Sequence, residues 1–120
     1  MKKILLAIDD DLLREICKRK LTKSNFKIFP TQTKKEIFKT LEKEKINLIL
    51  IDVSIENVKG LDILKEIREK RKIDLPVIVF STLRDEGLQE RAKKLKANDF
   101  VVGSEILPDE LVKRIKKILK

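Results

Sequence analysis

Five short apolar runs alternate with amphipathic stretches along the whole of this 120-residue chain. The runs fall at residues 4–8, 26–29, 48–51, 77–80 and 100–102, and branched or aromatic side chains dominate them. Such an alternation is expected when parallel strands are buried between helices. Five strand–helix units joined by right-handed crossovers predict a doubly wound α/β fold with a five-stranded parallel sheet in the order 2-1-3-4-5.

The stretches between the runs carry apolar residues at spacings of three and four, which is the pattern of a helix with one buried face. The pattern is weakest at residues 85–96, where only Leu88, Ala92 and Leu95 share a face. We therefore expect the fourth helix to be the least firmly packed. The length suits one domain over residues 1–120, and the sequence shows no linker or low-complexity segment.

The chain contains no histidine and a single cysteine, Cys17. Histidine is the side chain that shuttles protons near neutral pH, so Ser-His-Asp hydrolysis, Cys-His proteolysis and His-ligated zinc are excluded. One cysteine forms neither an internal disulfide nor a cysteine-rich metal site, and we expect Cys17 to be a core residue of the first helix. No apolar run reaches the roughly 18 residues of a membrane span, and we expect a cytoplasmic protein.

The net charge of +9 raises the question of nucleic-acid binding. In the sequence, lysines and arginines are spread through all five predicted helices and interleaved with acidic residues, a pattern typical of solvated helix faces with i,i+4 ion pairs. No aromatic residues alternate with the basic ones in the way that base stacking requires. The sequence pattern therefore argues against direct nucleic-acid binding.

Acidic and hydroxyl side chains follow the predicted strands at the edge where a doubly wound sheet binds its ligands. Asp9 and Asp10 come after the first strand, Asp52 ends the third, and Ser81 ends the fourth. In a partly buried site, carboxylates this close require either that a cation joins them or that the pKa of one of them rises. If a cation joins them, hard oxygen ligands select Mg²⁺. The sequence therefore predicts magnesium-assisted phosphoryl chemistry with a carboxylate as the nucleophile. We expect Asp11 to cap the helix that follows.

The order and spacing of these pieces resemble the receiver domains of two-component response regulators over the whole chain. The pieces are residues 3–10, residues 48–52, Gly60 eight residues after the last of these, residues 76–81 and residues 97–102. The resemblance implies a flavodoxin-like (βα)5 fold. It also implies a signalling module that is no enzyme beyond its own phosphorylation and dephosphorylation.

By this resemblance, Asp52 would accept a phosphoryl group from the phosphohistidine of a sensor histidine kinase or a phosphotransfer protein. Mg²⁺ would be held by Asp10, Asp52 and the backbone carbonyl of Ser54. Asp9 would act mainly through water. The transfer would depend on positioning and charge stabilisation, as in-line phosphoryl transfers generally do.

The resemblance also assigns a switch to two residues on the fourth and fifth strands. Ser81 would be the hydroxyl that turns toward the phosphoryl group, and Phe100 would be the aromatic residue coupled to it. The output surface would comprise the fourth helix, the fifth strand and the fifth helix, and it would contact a downstream protein or output domain. Homodimer formation stays open, and no membrane contact is expected.

Two positions depart from the family's pattern. The family has a lysine at the end of the fifth strand, where this chain has Gly103 or Ser104 depending on the direction of counting, and its usual proline after the phosphoacceptor is replaced by Glu56. A missing cation should slow phosphorylation, because a positive charge stabilises the charge that develops in the transition state. Two hypotheses follow. Either Lys59 or Arg84 supplies the cation from a new direction, or the chain is a pseudo-receiver, a protein-interaction module that works without phosphorylation.

An aspartyl-phosphate phosphatase is the enzymatic alternative, because such enzymes also carry an acid cluster after the first strand of a related sheet. They usually need a longer chain for a cap and their remaining acids. The predicted acceptor Asp52 also lies on the third strand rather than the first. Both points argue against this alternative.

Overall fold

The main sheet has five parallel strands, and a short antiparallel hairpin follows the third of them. The computed structural model describes residues 1–55 and 58–120, so Glu56 lies outside the described residues. The strands are β1 (Lys3–Ala7), β2 (Lys27–Thr31), β3 (Leu48–Asp52), the hairpin strands β4 (Ser54–Ile55) and β5 (Val58–Lys59), then β6 (Val77–Ser81) and β7 (Asp99–Val102). The sheet order β2-β1-β3-β6-β7 confirms the predicted order once the hairpin is left out of the count.

The described residues form five α-helices, of which the first four lie between strands and the fifth follows the last strand. The third continues directly into a π-helical segment. The helices are α1 (Asp11–Lys23), α2 (Lys34–Lys43), α3 (Gly60–Lys65) followed by the π-helical segment Glu66–Lys70, α4 (Glu86–Lys94) and α5 (Pro108–Ile118). Local chemistry sets several of their starts. At α2, Thr33 Oγ1 accepts from the Glu36 N–H at 3.1 Å while Glu36 Oε1 accepts from the Thr33 N–H at 3.2 Å, which is a capping box. Pro108 occupies the first turn of α5, where its missing N–H costs nothing.

The sheet is covered by helices on both faces, so the chain has two apolar cores. On the side of α2, α3 and α4, strand residues such as Leu5, Ile49 and Val79 are fully buried. On the side of α1 and α5, the alternate strand residues are buried, among them Leu50 and Phe80. Burial on both faces is why the strands appear as continuous apolar runs in the sequence rather than as alternating ones.

The bounds of β2 differ from the sequence prediction, and the packing of α4 agrees with it. β2 extends to Thr31 and includes Pro30, which is tolerated because β2 is an edge strand. The buried Thr31 hydroxyl donates to the Leu6 carbonyl oxygen at 3.1 Å and ties this edge to β1. The expectation of weak packing at α4 is confirmed, since Ala92 is the one fully buried residue among its nine.

All five strands of the main sheet begin at one edge, here called the amino edge, and end at the opposite edge, here called the carboxyl edge. At the amino edge, the Arg68 guanidinium joins two loops. It donates to the carbonyl oxygens of Ile73 at 2.9 Å, Leu75 at 2.7 Å and Lys96 at 3.0 Å, and to Asn98 Oδ1 at 3.2 Å. The loops that precede β6 and β7 are therefore held in a fixed relation to the end of α3.

Candidate functional site

Asp52 is the last residue of β3 and lies at the carboxyl edge, opposite Phe80 in the neighbouring strand. Its side chain is half-buried, and its Oδ1 accepts a long hydrogen bond of 3.3 Å from the Ser54 N–H. Burial raises the pKa of this carboxyl above its usual value. Backbone N–H groups of Ser54 and Val53 oppose the shift, while the charges of Asp9 and Asp10 add to it. A carboxylate of this kind is poorly neutralised and would gain from a nearby cation.

Gly60 holds the segment after Asp52 close to the strand. Its N–H donates to the Val53 carbonyl oxygen at 2.7 Å. A Cβ atom at this position would lie 1.9 Å from the Asp52 backbone oxygen, which no real contact allows. The close approach of the two backbones therefore requires glycine here. It also fixes where the hairpin that carries Ser54 and Lys59 begins and ends.

Asp9 and Asp10 lie just beyond β1, as the sequence predicts, and both are exposed. Asp10 is the N-cap of α1, and its Oδ1 accepts from the Leu13 N–H at 2.8 Å. The expectation that Asp11 caps this helix is therefore wrong. Asp11 is the first helical residue, and its carboxylate pairs instead with Arg14.

Arg14 is a supporting residue that the sequence reasoning missed. Its guanidinium donates to the backbone oxygen of Ile8 at 2.8 Å and to that of Asp9 at 3.2 Å. These bonds set the path of the backbone that presents both acids. An arginine one turn into the helix after an acid cluster is the signal that could have indicated it.

The donor types at this edge suit magnesium. Within the described residues no group of three or more Asp, Glu, Cys or His side chains lies close enough together to hold a metal ion by itself. Asp9 and Asp10 nevertheless lie near enough for their charges to raise the pKa of Asp52. Two of these carboxylates and a backbone carbonyl, completed by water and a phosphate oxygen, make the oxygen-rich shell that Mg²⁺ prefers. The residues present therefore fit this ion.

Ser81 and Phe100 lie on the neighbouring strands β6 and β7. Ser81 is buried at the end of β6, and its hydroxyl donates to the Leu83 carbonyl oxygen at 2.7 Å. Phe100 is half-buried and packs on the core beneath α4, with Ala92 and Ala97 beside it. The structure thus places both residues at one side of the sheet, with Ser81 already hydrogen-bonded within its own loop.

The two candidate cations have different surroundings. Arg84 makes a two-pronged ion pair with Glu105, with Nε 2.8 Å from Oε2. This pairing lowers the pKa of Glu105 and joins the loops after β6 and β7. Lys59 is exposed on the hairpin strand opposite Ser54, close in sequence and space to the end of β3. Both remain candidates, with Arg84 already engaged.

Gly103 lies directly against the ring of Phe80. A Cβ atom there would be 2.5 Å from Phe80 Cζ, so the ring fills the space that a side chain at 103 would need. Phe80 also lines an apolar cavity of about 220 Å³ between α1 and α5, together with Cys17, Ile106 and Leu111. The cavity lining includes Gly103 as well. The sequence reasoning missed Phe80. The bulky aromatic directly before Ser81, combined with a glycine in place of a long side chain, could have indicated it.

Cys17 is buried in α1, as the sequence predicts. Burial raises the pKa of its thiol to about 11, which keeps it protonated and unreactive. In the described residues, no helix is long and apolar enough to cross a bilayer.

Comparison with known proteins identifies what this arrangement is similar to. The family model of the response regulator receiver domain matches residues 4–116. The transcriptional regulatory protein CrdR of Helicobacter pylori is 35% identical over 116 residues, which are 97% of this chain and 54% of that protein. Response regulator RR06 of Streptococcus pneumoniae is 34% identical over 119 residues, which are 98% of this chain and 52% of that protein. The chain thus spans about half the length of these curated relatives.

A solved structure gives the same result in three dimensions. The crystal structure of a response regulator from Thermotoga maritima superposes with a TM-score of 0.86 at 28% identity, and the match covers 99% of this chain and 98% of that one. The five-stranded sheet and its flanking helices therefore have the flavodoxin-like architecture of solved response regulators.

Proposed function

Because the chain belongs to the receiver domain family of response regulators, we propose that Asp52 accepts a phosphoryl group from the phosphohistidine of a sensor histidine kinase or a phosphotransfer protein. The observation that carries this proposal is the half-buried Asp52 carboxylate at the carboxyl edge, whose pKa is raised by burial and by the nearby Asp9 and Asp10. The chain acts as a signalling module rather than as a classical enzyme.

The chemistry needs one bond to form and one to break. An Asp52 carboxylate oxygen attacks phosphorus, the phosphorus–nitrogen bond to the partner's imidazole breaks, and the electron pair returns to that nitrogen. The product is an acyl phosphate on Asp52. The Ser54 N–H, already 3.3 Å from Asp52 Oδ1, orients the carboxylate.

Mg²⁺, when bound, supplies positive charge that neutralises the carboxylates and the phosphoryl oxygens. Asp10, Asp52 and the backbone carbonyl of Ser54 would hold it directly, and Asp9 would act through water. Asp10 keeps one carboxylate oxygen free of its helix cap, since Oδ1 alone accepts from Leu13. The cap therefore leaves this side chain able to act as a ligand.

The switch would couple Asp52 to the far side of the sheet. Ser81 would leave the Leu83 carbonyl oxygen, to which it now donates, and donate instead to the phosphoryl group. The loop that follows β6 would then move, and Phe100 would repack beneath α4, which has few buried contacts to resist the change. The α4, β7 and α5 surface would pass this change to a downstream protein or output domain.

A pseudo-receiver that works without phosphorylation is the second candidate. Two observations favour it: Gly103 offers no cation and is packed against Phe80, and Arg84 is paired with Glu105. In that case the same output surface would bind its partner constitutively.

Incubation with Mg²⁺ and a small phosphodonor, followed by intact mass measurement, separates the two candidates. The first expects a mass gain of one phosphoryl group that Asp52→Asn abolishes. No mass gain, together with no response to a beryllium fluoride phosphate mimic, would exclude the phosphorylation switch and leave the pseudo-receiver.

The cation question has its own variants. If Lys59 or Arg84 assists the transfer, Lys59→Ala or Arg84→Ala should slow phosphorylation about tenfold or more, since such charges stabilise the transition state. Glu105→Gln serves as a control for Arg84, because it releases the guanidinium without removing it. Unchanged rates in both alanine variants would show that neither residue replaces the missing lysine.

A further inference from the structure

The net positive charge of the chain is concentrated on one face. We define the amino-edge face as the segments that run from the last residue of a helix to the first residue of the next strand in the main sheet, together with both chain ends. These segments are residues 1–3, 23–27, 43–48, 70–77, 94–99 and 118–120. It holds twelve basic residues and three acidic ones, which is a charge of +9 and equals the net charge of the whole chain. The remaining residues, with seventeen of each sign, are neutral in sum. The fold thus gathers at one edge the basic residues that have no acidic counterpart in the sum, and most of them lie outside the helices.

Hydrogen bonds hold the segments of the amino-edge face in a fixed arrangement. The Lys27 N–H donates to the Lys2 carbonyl oxygen at 2.9 Å, and the Asn47 N–H donates to that of Lys3 at 2.8 Å. At the other side of the sheet, Arg68 links the loops before β6 and β7. The backbone that carries the cations is therefore preformed, and a partner would have to order only the lysine side chains.

Most of these cations make no ion pair within the described part of the chain. Among the described residues, ion pairs engage only two of the twelve, Lys3 with Glu44 and Arg71 with Glu42 and Glu66. Basic residues in the last turn of a helix complement the helix dipole, which accounts for some of the set. However, eight of the twelve basic residues lie outside the helices, so the helix dipole does not account for their positions. The eight are Lys2, Lys3, Lys27, Lys45, Arg71, Lys72, Lys96 and Lys120.

The chemistry of this face indicates the kind of partner that fits it. Within the described residues, the large apolar side chains that are exposed lie elsewhere apart from Met1, so the contact would be electrostatic rather than apolar. In the part of the chain that the structure describes, no aromatic ring is exposed for base stacking, which argues against a single strand. The molecule is 33 Å across its longest extents, close to the roughly 34–36 Å of one turn of a duplex.

We propose that the amino-edge face binds the phosphate backbone of double-stranded DNA, without sequence preference. Lysines dominate the face, and their compact charges suit phosphates rather than base edges. The carboxyl edge points the other way. Its described residues, from the last residue of each main-sheet strand to the first residue of the next helix, include seven acidic residues and three basic ones. The duplex would therefore lie on the side opposite Asp52 and leave that side chain accessible. The proposal does not depend on phosphoryl transfer.

Two variants with the same net charge test it. Lys27→Gln, Lys45→Gln, Lys72→Gln and Lys96→Gln together remove four exposed lysines from four segments of the face. The control combines Lys18→Gln, Lys35→Gln, Lys65→Gln and Lys113→Gln, which are exposed lysines of four helices outside the face. Both variants carry the same reduced charge, so only its location differs between them.

Fluorescence anisotropy with a duplex of about three turns gives the readout. For about five neutralised phosphates, the affinity of the parent chain should fall about 10²- to 10³-fold between about 50 and about 200 mM salt. The face variant should bind at least about tenfold more weakly than the control variant at the lower salt, with a shallower salt dependence. Circular dichroism of both variants verifies the fold.

Three outcomes would overturn the proposal. The first is no duplex binding by the parent chain at the lower salt. The second is an equal loss of binding in the two variants, which would mean that total charge and not the face is responsible. The third is binding of phosphatidylserine vesicles without binding of the duplex, which would make an anionic membrane surface the partner instead.

Discussion

The two edges of the sheet obey different constraints, although the same strands join them. At the carboxyl edge, backbone and rings approach so closely that Gly60 and Gly103 have no space for a Cβ atom. At the amino edge, exposed lysines stand on loops that are held from beneath by a few hydrogen bonds. Packing therefore limits the sequence at the edge that holds the candidate site, whereas charge and a single arginine organise the opposite edge.

The largest effect is expected at Gly60. Gly60→Ala would place a Cβ atom 1.9 Å from the Asp52 backbone oxygen, so the backbone must shift, at a cost of about 3 kcal/mol or more in the free energy of unfolding. Gly87→Ala is the matched control, because its Cβ would meet only Asp85 Oδ1, at 3.3 Å. It should leave the stability within about 0.5 kcal/mol or raise it, since alanine favours the helix. Urea unfolding measures both. A small effect at Gly60 would contradict the tight packing of this edge.

Arg68 is the amino-edge residue for which we expect a comparable loss. Arg68→Met keeps most of the side-chain volume but removes the hydrogen bonds to Ile73, Leu75 and Lys96. We expect a loss of about 2 kcal/mol in urea unfolding, with faster amide exchange in the loops before β6 and β7. Arg91→Met, at an exposed site in α4, should change stability by less than about 0.5 kcal/mol. If both variants lost the same free energy of unfolding, the hydrogen bonds of Arg68 would not be what stabilises these loops.

The contact between Gly103 and Phe80 should give a somewhat smaller effect. Gly103→Ala would place a Cβ atom 2.5 Å from Phe80 Cζ, and we expect a loss of about 1–3 kcal/mol because the ring must move. Phe80→Leu should restore part of that loss in the double variant. A double-mutant cycle should therefore show a favourable coupling of about 1 kcal/mol. Additive losses would mean that the ring does not exclude a side chain at 103.

The smallest effects are expected from two carboxyls whose pKa values shift in opposite directions. Burial raises the pKa of Asp52, so the folded chain binds this proton more tightly than the unfolded chain and loses stability as pH rises through that range. Without metal, Asp52→Asn should therefore be more stable than the parent at neutral pH. Lys34, 2.8 Å away, lowers the pKa of Glu66. Its contribution is present at neutral pH and is lost as pH falls through the folded pKa, so Glu66→Gln should be slightly less stable at neutral pH.

Both differences should shrink toward pH 3, where the carboxyls are protonated in the unfolded chain. Urea unfolding at neutral and acidic pH, in the presence of a chelator, measures them. The Glu66 effect should stay below about 1 kcal/mol, because the pair is near the surface. If Asp52→Asn and Glu66→Gln changed the stability in the same direction at neutral pH, the opposite directions of the two pKa shifts would be contradicted. Added Mg²⁺ should stabilise the parent chain more than Asp52→Asn, by linkage to binding.

The apolar runs predicted the strands, because a strand buried on both faces is apolar throughout. The strand order followed from five strand–helix units with right-handed crossovers. The position of Asp52 at the end of β3 followed from the same pattern. The choice between Asp10 and Asp11 as helix cap did not follow, since adjacent acids differ only in backbone geometry at the first turn, with Asp10 extended at φ −70° and ψ 120°. The π-helical segment was also missed, because no residue type marks it in the sequence.

Long-range contacts were the other limit on prediction. Nothing in the local sequence places the ring of Phe80 against Gly103, which lies 23 residues later. Nor does the interleaving of lysine and glutamate along the helices reveal that the uncompensated lysines share one face. That conclusion needs the parallel topology, which brings every helix end and every strand start to the same edge. The roles of Lys59 and Arg84 are predictions that the phosphorylation measurements test, and the roles of Asp9, Asp10, Ser81 and Phe100 remain predictions.

The separation of charge between the two edges also has a kinetic consequence. A positive end and a negative end make the chain an electric dipole, and the field of an approaching partner exerts a torque on it before contact. An anionic surface would turn the amino edge toward itself and Asp52 away, whereas a cationic protein would meet the carboxyl edge first. Because screening acts over about 10 Å at 0.1 M salt, the rate at which each partner arrives in the correct orientation should depend on ionic strength.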